Sequence, residues 1–381
     1  MSSPAAFTKR EQLGCASALV VAYLSGNMAP MLLGAVQDGL ELTRGQAGLL
    51  TTLEFAAYGA SALLLAPWLP RLPRRRIAML ATLVAAIAHV ISAAGTTYAL
   101  VAPARILAGA AHGAVIASAF AIIARARDSE RIYARGFSAV VVVASVGYFV
   151  LPRVTPSFSY HGAYVYVGLM ALALFPVLRL LPADDRSGDG GPAAGGGERL
   201  GIAVVVALFA AGLVSFSDGL VWTMSERIGV SLGMSPRQIG SILGPSIVAG
   251  LIGTILAERI GARRGLAIPL MAGIWATAIA GFVLANASGV GAYATGAVLK
   301  NITLFFVLPY LAASAAALDP EGRAAAATGG VIPLGYGTGP YVAGLLVERW
   351  GFGLVGWCGL GVVAVATIIY VRVFRTIRAV G

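Results

Sequence analysis

The sequence is poor in lysine: Lys9 and Lys300 are the only two, and arginine supplies the rest of its 27 basic residues. Charge of either sign is scarce. Charged residues make up 11% of the chain, against about 25% in an average soluble domain. Cysteine is nearly absent, and the two present, Cys15 and Cys358, fall inside apolar runs, which argues against a disulfide framework or a CxxC metal site. No GxSxG or HExxH sequence and no cluster of metal ligands supports an enzyme, and no Walker-type loop supports ATP-driven work. The expectation is a chain without a cofactor, without a metal and without enzymatic activity. The net charge of +11 does not imply nucleic acid, because the basic residues sit at the ends of apolar runs rather than on one polar face.

Apolar residues are what the chain has in excess, at 58% with a mean hydropathy of +0.85. A bilayer core of about 30 Å is crossed by roughly 17 to 25 apolar residues in a helix. Twelve such runs can be marked, at 13–36, 46–66, 77–94, 99–123, 135–152, 162–181, 200–223, 238–257, 265–285, 290–316, 324–346 and 353–371. The fold class this predicts is an all-α polytopic membrane protein. The first run lacks a short apolar core with a small-residue cleavage site, so it is read as retained.

Orientation follows from the arginines, because positively charged loops stay on the cytoplasmic side. With the N-terminus cytoplasmic, that side receives Lys9, Arg10, the cluster at 71–76, the run at 125–135 and the basic tail after 371. Arg44, Arg153, Arg227, Arg237 and Arg349 fall on the other side, and Arg105 and Lys300 fall within the membrane. The reading is a multi-pass protein of the cytoplasmic (inner) membrane with both termini cytoplasmic. The segment around PADDRSGDGGPAAGGG, 182–197, is too polar and glycine-rich to pack. It divides the chain into a six-helix bundle over 1–182, a linker over 183–199 and a second six-helix bundle over 200–381. The halves echo each other: PRLPRRR at 70–76 matches ERIGARR at 258–264, about 190 residues on, as expected of the duplicated units common in secondary transporters.

The segment GTILAERIGARR, 253–264, resembles the cytoplasmic signature of the major facilitator superfamily, and the likeness covers nearly the whole chain. The resemblance implies the two-bundle fold of that family and a cytoplasmic gate at Glu258, Arg259 and Arg263, with Arg71 as the surviving counterpart in the first half. There Pro70 and Pro73 stand where the acid and the glycine are expected. Simple positive-inside anchoring accounts for the same arginines equally well. RILAGAAHG, 105–113, is similar to the family's fourth-helix motif, whose arginine is associated with proton coupling. The fifth helix keeps Gly147 and Pro152 of the antiporter motif, but Leu151, Arg153 and Pro156 replace small residues, which weakens an exporter assignment. GYGTGP at 335–340 has no preceding strand and no following lysine, so it reads as a flexible or kinked eleventh helix rather than a phosphate loop.

Four ionisable residues, Glu54, Arg105, Asp218 and Lys300, lie roughly five to ten residues in from the outer ends of their spans, or about 8–15 Å at 1.5 Å per residue. Two acids and two bases can compensate each other; the alternative is that the long cations merely snorkel to the interface. In the resembled fold, helices 1, 4, 7 and 10 line the cavity, which makes Tyr23, Asn27, Arg105, Trp222, Lys300 and Asn301 the candidate solute contacts. Glu54, Asp218 and Arg105 are the candidate proton-coupling groups, and Asp218 is the candidate resting partner of Lys300. His89 and His112 are singled out as intramembrane histidines, His112 as either a proton relay or a packed side chain.

The function expected is a proton-coupled secondary transporter that moves a small organic solute, first an organic anion, by alternating access. Efflux of amphipathic or cationic compounds is the alternative within transport, and a non-transporting receptor or scaffold the alternative outside it. The partners expected are the solute, protons and the lipid bilayer, with no nucleic acid; a monomer is favoured.

Overall fold

A computed structural model describes residues 6–183, 201–261, 265–317 and 323–380. Among the described residues the chain is built of helices and contains no β-strand. In chain order they are α1 (Lys9–Asn27), α2 (Ala29–Gly39), α3 (Arg44–Leu65), α4 (Arg74–Ala94), α5 (Tyr98–Ile123), α6 (Ser129–Leu174) and α7 (Ile202–Trp222). Then follow α8 (Ser225–Ser231), α9 (Pro236–Ile260), α10 (Ala267–Ala285), α11 (Val290–Ala316), α12 (Arg323–Trp350) and α13 (Phe352–Val380).

Among the described residues, ten helices are long and apolar enough to cross a membrane. The pair α1 and α2, bent by 46°, makes an eleventh. The stretch Arg131–Leu180, 50 residues, holds two spans, because α6 is broken at Ser159 (φ 51°, ψ −151°) after Pro152 and Pro156. Proline removes an amide donor from the helix ladder and clashes with the preceding turn. The count is therefore twelve spans, and the architecture is an all-α polytopic membrane protein. The linker from 184 onward lies outside the described residues.

Helix starts are written locally. Thr8 and Glu11 form a capping box at α1, and Ser235 and Gln238 form one at α9, where Pro236 takes the first helical position. Between α1 and α2, Pro30 sits in the first turn of α2, where a missing N–H is tolerated, and the Asn27 carbonyl accepts a hydrogen bond from the Tyr148 hydroxyl at 2.9 Å.

Helix faces are inverted relative to a soluble protein. On α4, Leu80 (63% exposed), Val84, Ile87 and Ile91 point outward, while Ala81, Ala85, Ala88, His89 and Ser92 are buried. Large apolar side chains outside and small or polar ones inside is the pattern of a helix whose solvent is lipid.

The contacts divide the chain into two compact units, Met1–Leu40 with Leu53–Ala194, and Glu41–Thr52 with Gly195–Gly381. In the first unit, a Cβ on Gly109 would fall on the Glu54 carbonyl and one on Gly113 on the Tyr58 carbonyl, so α5 approaches α3 backbone to backbone. In the second, Val214, Leu270, Ile274, Val307, Val363 and Tyr370 form an apolar core shared by α7, α10, α11 and α13. There Gly335 and Gly339 lie directly against Gly212 and Leu220 of α7. The expectation of a flexible or kinked helix at 335–340 thus has a more specific reading: α12 runs unbroken from Arg323 to Trp350, and its glycines serve close packing.

Candidate functional site

The close approach of α5 to α3 in the first unit brings Arg105 beside Glu54. Arg105 Nη1 lies 3.3 Å from Glu54 Oε2, and Ser25 of α1 donates its hydroxyl to Glu54 Oε1 at 2.6 Å. The rest of the guanidinium is also engaged. Its Nε donates to Ser92 Oγ at 3.0 Å, its Nη2 faces His89 Nδ1 at 3.1 Å, and its carbon sits 4.4 Å from the centre of the Tyr164 ring. Arg105 is 1% exposed, so it does not snorkel. Each of the three guanidinium nitrogens has a hydrogen-bond partner and one carboxylate balances the charge, which is how a buried guanidinium is tolerated.

The second unit holds the counterpart. Lys300 of α11 is ion-paired with Asp218 of α7, and its ammonium lies 5.3 Å from the centre of the Trp222 ring. Lys300 is 1% exposed and Asp218 5%. A small cavity with room for about one water molecule opens beside the pair, between Ser217 and Asp218 of α7, Thr277 of α10, Lys300 and Gly359 of α13. The hydroxyls of Ser217 and Thr277 already donate, to the carbonyls of Gly359 at 3.0 Å and Gly273 at 2.8 Å, so they present lone pairs to it.

Other residues singled out in the sequence lie elsewhere. Asn301 ties α11 to α9, donating to Ser246 Oγ at 3.1 Å and to the Ala297 carbonyl at 3.0 Å. Tyr23 packs against Phe137 with ring centres 5.5 Å apart, and Asn27 holds Tyr148 through its backbone. Arg71, Glu258 and Arg259 are exposed at helix ends, and Arg263 lies outside the described residues. The signature glycine has a local reason: Gly261 closes α9 at φ 53°, where glycine pays no steric cost, and the Tyr310 hydroxyl donates to its carbonyl at 3.1 Å. Arg227, expected in an outer loop, is instead buried in α8 against Glu226, with Nη2 2.8 Å from Oε1.

Sequence reasoning passed over Ser25, Ser92 and Tyr164. Ser92 was within reach, because it follows His89 by three residues and therefore shares its helix face. Ser25 and Tyr164 leave no such signal, since small hydroxyls and tyrosines are ordinary in membrane helices.

Compensated acid–base pairs on facing helices of a twelve-span all-α protein are the form in which charges are tolerated inside a membrane, where they mark solute and proton pathways. The sequence model of the Major Facilitator Superfamily matches residues 15–208, about half of the chain. The chain belongs to the major facilitator superfamily. No curated protein matches it in sequence. Among solved structures it is similar to the nucleoside transporter NupG, with a TM-score of 0.73 at 14% identity, covering 96% of this chain and 99% of that one. It is also similar to a bacterial homolog of the human lysosomal transporter Spinster in an inward-facing, occupied state (TM-score 0.72, 15% identity, 99% and 98% covered). The human organic anion transporter MFSD10 gives a TM-score of 0.64 at 17% identity, with 94% and 97% covered. At these identities the likeness is one of fold.

Proposed function

We propose that the protein is a proton-coupled secondary transporter of the cytoplasmic membrane that carries a small organic anion by alternating access. The observation that carries the reading is that each of its two intramembrane cations is held by a carboxylate, Arg105 by Glu54 and Lys300 by Asp218. An anionic solute that takes the cation displaces the carboxylate from its counter-charge, and a proton carried with the solute balances the charge that the anion brings. Solute and proton then occupy the site together without adding net charge. In this reading Arg105 in the first unit and Lys300 in the second are the groups that meet the anion, Trp222 flanks Lys300, and Tyr23, Asn27 and Asn301 are further candidate solute contacts. Glu258, Arg259, Arg263 and Arg71 close the cytoplasmic side, and the bundles 1–182 and 200–381 are the moving parts. The shared fold with a human organic anion transporter is consistent with that solute class.

The test is accumulation in proteoliposomes under an imposed pH gradient, with a panel of mono- and dicarboxylates, organic phosphates and amphipathic cations. Gradient-driven movement of an anion is the expected result. Movement of the cations alone would replace this reading with efflux, and movement of nothing would point to a receptor or scaffold.

A further inference from the structure

The Glu54–Arg105 contact uses one end of the guanidinium; the other end is held by His89. Arg105 cannot accept a hydrogen bond, so in the 3.1 Å contact the lone pair belongs to His89 Nδ1 and the proton to Arg105 Nη2. This fixes the ring as the neutral tautomer with its proton on Nε2. His89 is 0% exposed, and its Nε2 has no hydrogen-bond partner among the described residues. The groups facing the ring are Arg105 and His112 from α5, with the two imidazole centres 5.3 Å apart, and Tyr164 from α6, stacked at 6.3 Å. Ser92 on α4 itself, and Glu54 of α3 behind the guanidinium, complete the set. Glu54 is the one carboxylate in this set, and Arg105 stands between it and the ring.

We propose that Nδ1 of His89 is a proton-binding site occupied in alternation with Arg105. One lone pair serves either the guanidinium N–H or a proton, and a second positive charge 3.1 Å from a permanent cation is opposed by Coulomb repulsion. While Arg105 rests between His89, Ser92 and Glu54, the ring stays neutral. When Arg105 leaves for an anion, Nδ1 takes a proton from aqueous hydronium, which is left as water, to give an imidazolium with no bond broken in the protein. Return of Arg105 expels that proton. His89 is thus a positioning residue for Arg105 in one state and a proton carrier in the other. The inference builds on the proposed movement of Arg105, but it can be read without any solute.

The experiment is nitrogen NMR of the purified full-length protein with labelled histidine, across the pH range in which it stays folded. The chain has three histidines, and His89→Asn identifies the signal by removing it. In the native protein the His89 signal should show an unprotonated Nδ1 and a protonated Nε2 throughout. Arg105→Gln should let Nδ1 protonate as the pH falls, whereas Glu54→Gln, which keeps the arginine, should not. Should Arg105→Gln fail to fold, the Glu54→Gln/Arg105→Gln pair removes both charges together and carries the same expectation. A proton on Nδ1 in the native protein overturns the proposal, as does a His89 that fails to titrate once Arg105 is gone. Absence of transport in liposomes with these NMR results intact would count against the proposed function and leave this site standing.

Discussion

Lys300 and Asp218 stand 82 residues apart in sequence and meet as a buried ion pair between α11 and α7, with the Trp222 ring beside the ammonium. Such a pair contributes little net stability, because desolvation offsets most of the Coulomb attraction, yet breaking it from one side leaves an unpaired charge.

Lys300→Ala should destabilise the protein by about 3–5 kcal/mol by orphaning Asp218, and Lys300→Ala with Asp218→Ala should recover most of that loss. Thermal unfolding in detergent checks the stability cycle. The double variant should remain inactive in transport, and Lys300→Arg should fold but change solute selectivity, since a planar fork replaces a compact ammonium. A fully active Lys300→Ala protein would sink the organic-anion reading.

Glu54→Gln keeps the shape that Ser25 and Arg105 hold but cannot take up and release a proton. Gradient-driven accumulation should be lost while solute exchange across the membrane continues. Asp218→Gln is too long for the same test, so Asp218→Asn is its counterpart. If both amide variants still accumulate solute under a pH gradient, neither acid is the coupling site.

Gly109→Leu should separate α5 from α3, because even a Cβ at this position would overlap the Glu54 carbonyl. Overpacking of this kind costs about 1–3 kcal/mol or more. Gly291→Ala, in α11 with nothing within 4 Å of the added methyl, should leave the melting temperature unchanged or slightly raised. Equal melting temperatures for the two variants would refute the close α3–α5 approach.

Orientation can be read by cysteine labelling in a background with Cys15 and Cys358 replaced by alanine. A cysteine at Gly289 should react from outside intact cells, and one at Gly190 in the linker should not. The reverse pattern would turn the proposed topology over.

The number of spans and their positions were legible from the sequence because a membrane imposes length and polarity on each segment separately. The bounds of α5, Tyr98–Ile123, and α10, Ala267–Ala285, fall within two residues of the runs marked at 99–123 and 265–285. The four intramembrane charges stood out for the same reason: a charge in an apolar run is conspicuous one residue at a time. Their partners were another matter. That Asp218 could serve Lys300 followed from depth along two helices. That His89, Ser92 and Tyr164 would enclose Arg105 depended on how α4, α5 and α6 rotate about their axes, while Gly109 and Gly113 set how closely α5 approaches Glu54 on α3. Arg227 shows the limit from the other side, since a positively charged residue at the end of a span looks like a solvated loop until α8 folds back and buries it against Glu226. Sequence fixes what each helix offers to lipid and what it must hide. Only the packed structure decides which hidden groups touch, because that depends on rotation and approach between helices rather than on the order of residues along any one of them.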